Sequence, residues 1–244
     1  KNDRLAQLTA DGKTALLTLE QPDDVSAKQR RTTGLYHFAL LLPHRSDLAN
    51  IVYHLAAHGV QIGASDHLVS EALYLSDPDG NGIEIYTDRD PSEWRWHNNQ
   101  VTMTTDPLNI QDLLTEGEQN AWKGLPAQTV MGHIHLHVSE LDRTEEFYTK
   151  GLGFEVVTRY GTQALFISDG KYHHHIGLNT WNGVGAPQPS HNSVGMKYYT
   201  LEFASEEKRN QVMTQLKAIG APVEETNGSF VTTDPSGNRI YLNA

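Results

Sequence analysis

Asp77-Pro78-Asp79-Gly80-Asn81-Gly82-Ile83-Glu84-Ile85-Tyr86 returns later in the chain as Asp234-Pro235-Ser236-Gly237-Asn238-Arg239-Ile240-Tyr241-Leu242-Asn243. Each copy reads as a tight turn feeding a short strand, because Asp, Pro, Gly and Asn are turn residues and β-branched or aromatic residues follow them. Strand alternation puts Glu84 and Tyr86 on one face of the first copy and the two isoleucines on the other. A lone Glu on such a strand has two readings, a solvated sheet face or a ligand directed into a site. The second copy keeps the turn and the apolar face but carries Tyr241 where the first has Glu84, so the glutamate is not needed for the turn.

Working outward, the copies belong to a longer repeat. Gly34–Leu40 answers to Gly195–Leu201, and residues 9–20 answer to SDGKYHHHIGLN when Gly12-Lys13 is laid on Gly170-Lys171. Ser46 to His58 has helical spacing, with Leu48, Ile51, Val52 and Leu55 on one side, Ser46 as candidate N-cap and Gly59 beyond the end. Strands are expected at Gly34–Leu42, Val60–Ile62, Ala72–Leu75 and Ile83–Tyr86, which makes a βαβββ module. A second such module opens at Met131–Val138, has a helix from about Leu141 to Leu152 and ends in a strand at His173–Asn179. Another runs from Gly195 through a helix at Ser205–Ile219.

The expected fold class is therefore α+β, built of tandem βαβββ modules. The boundaries read from the pattern are 1–20 for the remnant of a first module, 32–88 for the second, 89–128 for a linker, 129–180 for the third and 194–244 for the fourth. By analogy with the others, the first module lacks an opening strand and helix of roughly 30 residues, so an N-terminally truncated chain is expected. The linker carries Trp94, Trp96 and Trp122, which points to packing against the body.

Composition narrows the chemistry. The 244 residues include no cysteine, so thiolate metal sites, disulfides and Cys nucleophiles are excluded and His, Asp and Glu remain as ligands. A net charge of −11 without a basic, aromatic-studded stripe argues against nucleic acid. The longest apolar runs are too short to span a bilayer and the opening Lys-Asn-Asp-Arg is unlike a secretion signal, so no membrane partner and a cytoplasmic location are expected. The 13 histidines are clustered. Those at His44, His54, His58, His97 and His191 fall in turns, helix or linker and read as surface residues.

The repeat supplies an internal control. In the fourth module His37 becomes Tyr198, Tyr74 becomes Val231, Glu84 becomes Tyr241, and His67 falls opposite the region of Glu224. His173-His174-His175 of the third module stands opposite Ala15-Leu16-Leu17 of the first. Scaffold residues persist while the candidate ligands vanish together, which favours a functional reading of His37 and Glu84.

Gly132 to Val156, GHIHLHVSELDRTEEFYTKGLGFEV, resembles the opening of a module in the vicinal oxygen chelate superfamily of glyoxalases, extradiol dioxygenases and antibiotic-resistance proteins. DPDGNGIEIY is similar to that superfamily's closing strand with its metal-binding Glu, and with YHHHIGLN at 172–179 the set most resembles bacterial catechol 2,3-dioxygenases. The resemblance implies modules paired into cups and a metal held by His37, Glu84 and His133. Such a two-His-one-carboxylate set suits Fe(II), with Mn(II) as the alternative. Many extradiol enzymes draw their ligands from modules three and four. Module four here offers Tyr198 and Tyr241, so a cup of modules two and three is expected.

The resemblance also implies His175 as acid and base, with His174 the fallback, Tyr74 and His67 as groups reaching the substrate, and His135, His174 and Tyr86 lining it. The expected partners are a small aromatic diol and O2, in a homo-oligomer, and the product is a 2-hydroxymuconic semialdehyde. Two rival readings stand beside this one. A glyoxalase-type lyase or isomerase would use four ligands, and a metal-free drug-binding resistance protein would need none of the three.

Overall fold

The computed structural model describes residues 4–244; of the remnant expected over 1–20, residues 1–3 lie outside the described residues. The chain divides into two compact units, one comprising the chain up to Val25 with His37–Ile134, the other Ser26–Tyr36 with His135–Ala244. Among the described residues no helix is long and apolar enough to cross a membrane.

The first unit begins with an antiparallel hairpin, β1 (Leu5–Thr9) and β2 (Ala15–Glu20). There follow β3 (Gly34–Leu41), α1 (Arg45–Ala57), β4 (Gly63–Asp66), β5 (Ser70–Ser76) and β6 (Gly82–Asp88), the βαβββ order read from the sequence. β3 runs parallel to β6, which pairs antiparallel with β5, and β5 with β4. Helix α1 buries Leu48, Ala49, Ile51 and Val52 against Leu42, Leu73 and Ile85, with Ile83 packed alongside. Each such aliphatic side chain contributes roughly 1.5–3 kcal/mol when buried. With both isoleucines committed to the helix, alternation sends Glu84 and Tyr86 to the opposite face, where Tyr86 lies with Ala39 and Ala72.

Two boundaries differ from expectation. The residue preceding α1 as its cap is His44, without a side-chain cap bond, so Ser46 lies inside the helix. Val60–Ile62 is not a strand: Gly59 takes a positive φ of 68° and the Val60 N–H donates to the Leu55 carbonyl at 3.0 Å. Those residues complete the helix end, and β4 starts only at Gly63.

The long connection is structured. β7 (Trp96–His97) pairs with β8 (Gln100–Val101), and β9 (Asp106–Pro107) adds to the edge of β4 through Ser65 and Asp66. After it comes α2 (Ile110–Leu114). Trp94 is buried with its indole N–H on the Arg89 carbonyl, and Trp122 packs against the α1 core.

β10 (Val130–His137) leads into the second unit, followed by α3 (Asp142–Glu146), β11 (Glu155–Tyr160), β12 (Ala164–Ser168) and β13 (Ile176–Asn179). The helix expected to about Leu152 continues past α3 as a π turn over Phe147–Gly151. The widened turn lies where the Tyr148 hydroxyl is tied to Asp234 at 3.0 Å and to Tyr199 at 2.9 Å. The strand expected from His173 begins at Ile176. The His173 and His174 rings, on consecutive residues, meet each other through their Nδ1 atoms at 2.8 Å, which strand alternation forbids.

The unit closes with β14 (Tyr199–Glu202), α4 (Glu206–Ala218), β15 (Val223–Thr226), β16 (Ser229–Thr233) and β17 (Arg239–Asn243), a mixed sheet ordered β14-β17-β16-β15. β14 is shorter than expected at its start, since Ser193 bridges Ser26 and the Val194 N–H goes to the Ser26 carbonyl. Ser205 caps α4 through the Lys208 N–H at 3.2 Å.

The repeat holds bond for bond. Asp77 accepts from the Asp79 and Asn81 N–H groups and from the Asn81 amide at 3.0, 2.7 and 2.8 Å. Asp234 does the same with Ser236 and Asn238 at 2.8, 2.9 and 2.8 Å. Gly80 and Gly237 sit at φ 83° and 89°, where a side chain would be strained. The register agrees as well, since Tyr74 faces Glu84 across β5–β6 and Val231 faces Tyr241 across β16–β17.

Candidate metal centre

The Asp77 turn fixes where β6 starts and hence which face Glu84 takes. β3 then sets Ala39 beside Glu84 and His37 beside Gly82 in parallel register, so His37 reaches the same region from the neighbouring strand. His133 arrives on β10. The three side chains are 6%, 3% and 3% exposed for His37, Glu84 and His133. His37 Nε2 and His133 Nε2 lie 3.0 and 3.2 Å from the same oxygen, Glu84 Oε2, and one ligand atom from each residue falls within 4.8 Å of the other two.

Donors about 3 Å apart are what neighbouring ligands at right angles show when each is about 2.1 Å from one ion. Two imidazoles and a carboxylate, buried together, thus fit a borderline divalent cation. Burial opposes the Glu84 charge, but the His133 and His37 imidazoles against it outweigh that and hold its carboxyl well below the usual carboxylate range. Glu84 therefore meets a cation already ionised. Among the described residues no other group of three or more His, Asp or Glu side chains converges in this way.

Tyr74 faces Glu84 from β5, and its ring lies 5.7 Å from that of His37. Its hydroxyl is 2.6 Å from His67 Nε2, while His67 Nδ1 is 2.6 Å from the Thr104 carbonyl oxygen. A carbonyl can only accept, so His67 carries its proton on Nδ1, and Nε2 must accept the Tyr74 O–H. Thr104 escapes a reading of the sequence because its contribution is a backbone carbonyl, delivered by the stretch that leads into β9.

Of the remaining expected residues, Tyr86 lies on β6 of the first unit, and His135, His174 and His175 belong to the second. His135 packs among Tyr36, Phe166 and Trp181 at ring separations of 5.1, 5.5 and 5.2 Å, over Gly177, where a Cβ would come within 2.8 Å of the imidazole. His174 is buried against Phe166 and bonded to His173. The Asp169 N–H donates to His175 Nδ1 at 3.2 Å, leaving the imidazole proton on Nε2. Trp181 and Gly177 were not singled out from sequence; the only signal, a Gly two residues past a His triplet, has many other meanings.

Burial pushes the His175 imidazole below its ordinary value. Below about pH 6.5 the unfolded chain binds a proton that the folded one resists, so this group removes stability as pH falls. His175→Gln should accordingly flatten the decline in melting temperature between about pH 7 and about pH 5. Parallel curves for the two proteins would contradict that assignment.

Comparison with known proteins bears on the whole arrangement. The family model for the Glyoxalase/Bleomycin resistance protein/Dioxygenase superfamily matches residues 1–85 and 130–242. The chain belongs to this superfamily. Within it, the chain is 50% identical over 238 residues to a catechol-2,3-dioxygenase of Bacillus subtilis (strain 168), covering 96% of this chain and 84% of that protein. Among solved structures, a putative dioxygenase from Bacillus subtilis superposes with a TM-score of 0.54 at 14% identity, over 86% of this chain and 61% of that one. A glyoxalase I mutant from Zea mays gives 0.50 at 15% identity, over 92% of this chain and 72% of the other. Those two likenesses show the fold alone. The superfamily match omits the whole connection between β6 and β10, and that omitted stretch contains Thr104, the residue that fixes the His67 tautomer.

Proposed function

We propose that this chain opens the ring of catechol, or of a substituted catechol, outside the diol with O2 at an Fe(II) held by His37, Glu84 and His133. The observation that carries the reading is the buried set of two imidazoles and one carboxylate. The 50% identity to a catechol-2,3-dioxygenase supports the choice of substrate class. His37, Glu84 and His133 would hold the metal as three protein ligands, whereas glyoxalase-type chemistry would take a fourth. Both atoms of O2 enter the product, a 2-hydroxymuconic semialdehyde. When bound, Fe(II) supplies the one-electron chemistry that lets O2 react with the ring.

The chain's own residues handle the protons. Tyr74 already donates to His67, so toward the diol its oxygen can only accept. A proton leaving the diol passes to Tyr74 as the Tyr74 proton moves to His67 Nε2, and the Thr104 carbonyl holds the resulting imidazolium. For His175, the bond from the Asp169 N–H leaves the proton on Nε2, so in the acid-base role that the resemblance implies it would donate through that atom. The proton stored on His67 returns along the same path when the product forms.

The test is to load the protein with Fe(II) without oxygen, add catechol, then admit O2 while following oxygen uptake and the yellow ring-opened product. One O2 consumed per catechol is expected. No colour and no uptake across several catechols would sink this reading, and turnover of a thiohemiacetal with Ni(II) or Zn(II) instead would favour the glyoxalase type.

A further inference from the structure

We infer that Tyr86 is the positioning residue of the metal centre: its ring, seated on the bare backbone of Gly132, sets the orientation of the His133 imidazole that faces Glu84. The inference rests on the metal-binding reading above but not on the reaction. The resemblance implied that Tyr86 lines the substrate, yet its side chain is 0% exposed. It stands on the same face of β6 as Glu84, two residues on, and its ring centroid lies 4.9 Å from that of His133 with the planes tilted by 53°. A Cβ built on Gly132, the residue before the ligand, would fall 2.0 Å from the Tyr86 hydroxyl oxygen and 2.7 Å from Cε1 and Cζ.

Two further small residues complete the socket. Ala39, beside Glu84 on β3, and Ala72, opposite Tyr86 on β5, are both fully buried in the cluster that holds the ring. Three strands thus each present a residue too small to compete with one aromatic ring. A histidine ligand has a broad χ2 well, so backbone placement alone leaves the imidazole free to swing. A packed ring against one side removes that freedom, as supporting groups around metal ligands commonly do. His133 Nε2 is in fact aimed at Glu84 Oε2 at 3.2 Å.

Ordinary core filling by Tyr86 makes a different prediction, and Co(II) alone serves as the probe. Metal-free protein is titrated with Co(II), reading affinity by competition with a chelator and ligand geometry from the visible spectrum. Tyr86→Phe keeps the ring and should stay close to wild type in both. Tyr86→Leu should weaken Co(II) binding by about 10–100-fold and alter the spectrum. Because Gly132→Ala alone risks misfolding, the double variant Gly132→Ala/Tyr86→Leu removes the clash; it should fold yet keep the affinity loss. A folded Leu or double variant with wild-type affinity and spectrum overturns the inference. If wild-type protein takes up no Co(II), the metal centre itself fails and the inference with it, so the two failures are read from different samples.

Discussion

Replacing Glu84 by Gln is expected to abolish metal retention while leaving the fold intact. The carboxylate is the only anion in the set, and both imidazoles point at one of its oxygens. An amide keeps the shape but presents a neutral oxygen, or an N–H that repels a cation. The loss of affinity should exceed the roughly 10–100-fold typical of a supporting residue, so dialysed protein should carry no stoichiometric Fe(II) and show no ring-opening activity. Metal-free protein should behave otherwise. An amide of the same shape can still meet an imidazole nitrogen, and removing a buried anion avoids its desolvation cost. The melting temperature of apoprotein should therefore shift by only a few degrees, equivalent to about 1 kcal/mol. Iron still held at one equivalent after dialysis would remove Glu84 from the ligand set.

That expectation was already written in the sequence, because strand alternation and an internal copy together isolate Glu84 from its turn. The Asp77 and Asp234 turns make matching hydrogen bonds, and one is followed by Glu84 where the other has Tyr241. His37 was legible for the same reason, since Tyr198 stands in its place in the copy, whereas His133 was read only from the resemblance to the superfamily. Periodicity also gave the helices, since α1 and α4 repeat their apolar side chains at helical spacing. What escaped depends on particular three-dimensional meetings. The bonded pair of His173 and His174 disrupts a strand that alternation would have continued. The π turn at Phe147 sits beside an anchored Tyr148 hydroxyl, and nothing in the local sequence marks it. Gly132 matters through an absent side chain, and Thr104 through a carbonyl every residue possesses.

Removing the Tyr74 hydroxyl should separate proton handling from metal binding. Tyr74→Phe leaves His37, Glu84 and His133 untouched, so iron content should remain at the wild-type level. It strands His67 Nε2 without the phenol, which costs about 1 kcal/mol of stability. If the diol proton travels through Tyr74 to His67, kcat/KM for catechol should fall by about 10²–10⁴-fold, the usual worth of a placed acid or base. His67→Gln should produce a deficit of similar size, and Tyr74→Phe/His67→Gln should be little worse than either alone, because a relay broken once is already broken. The deficits should shrink as pH rises, and with a catechol acidic enough to arrive ionised, since solvent then does the work of the relay. Additive losses, or a deficit unchanged between a neutral and an already ionised diol, would place the proton on another path and leave the short His67–Tyr74 bond as a structural strut.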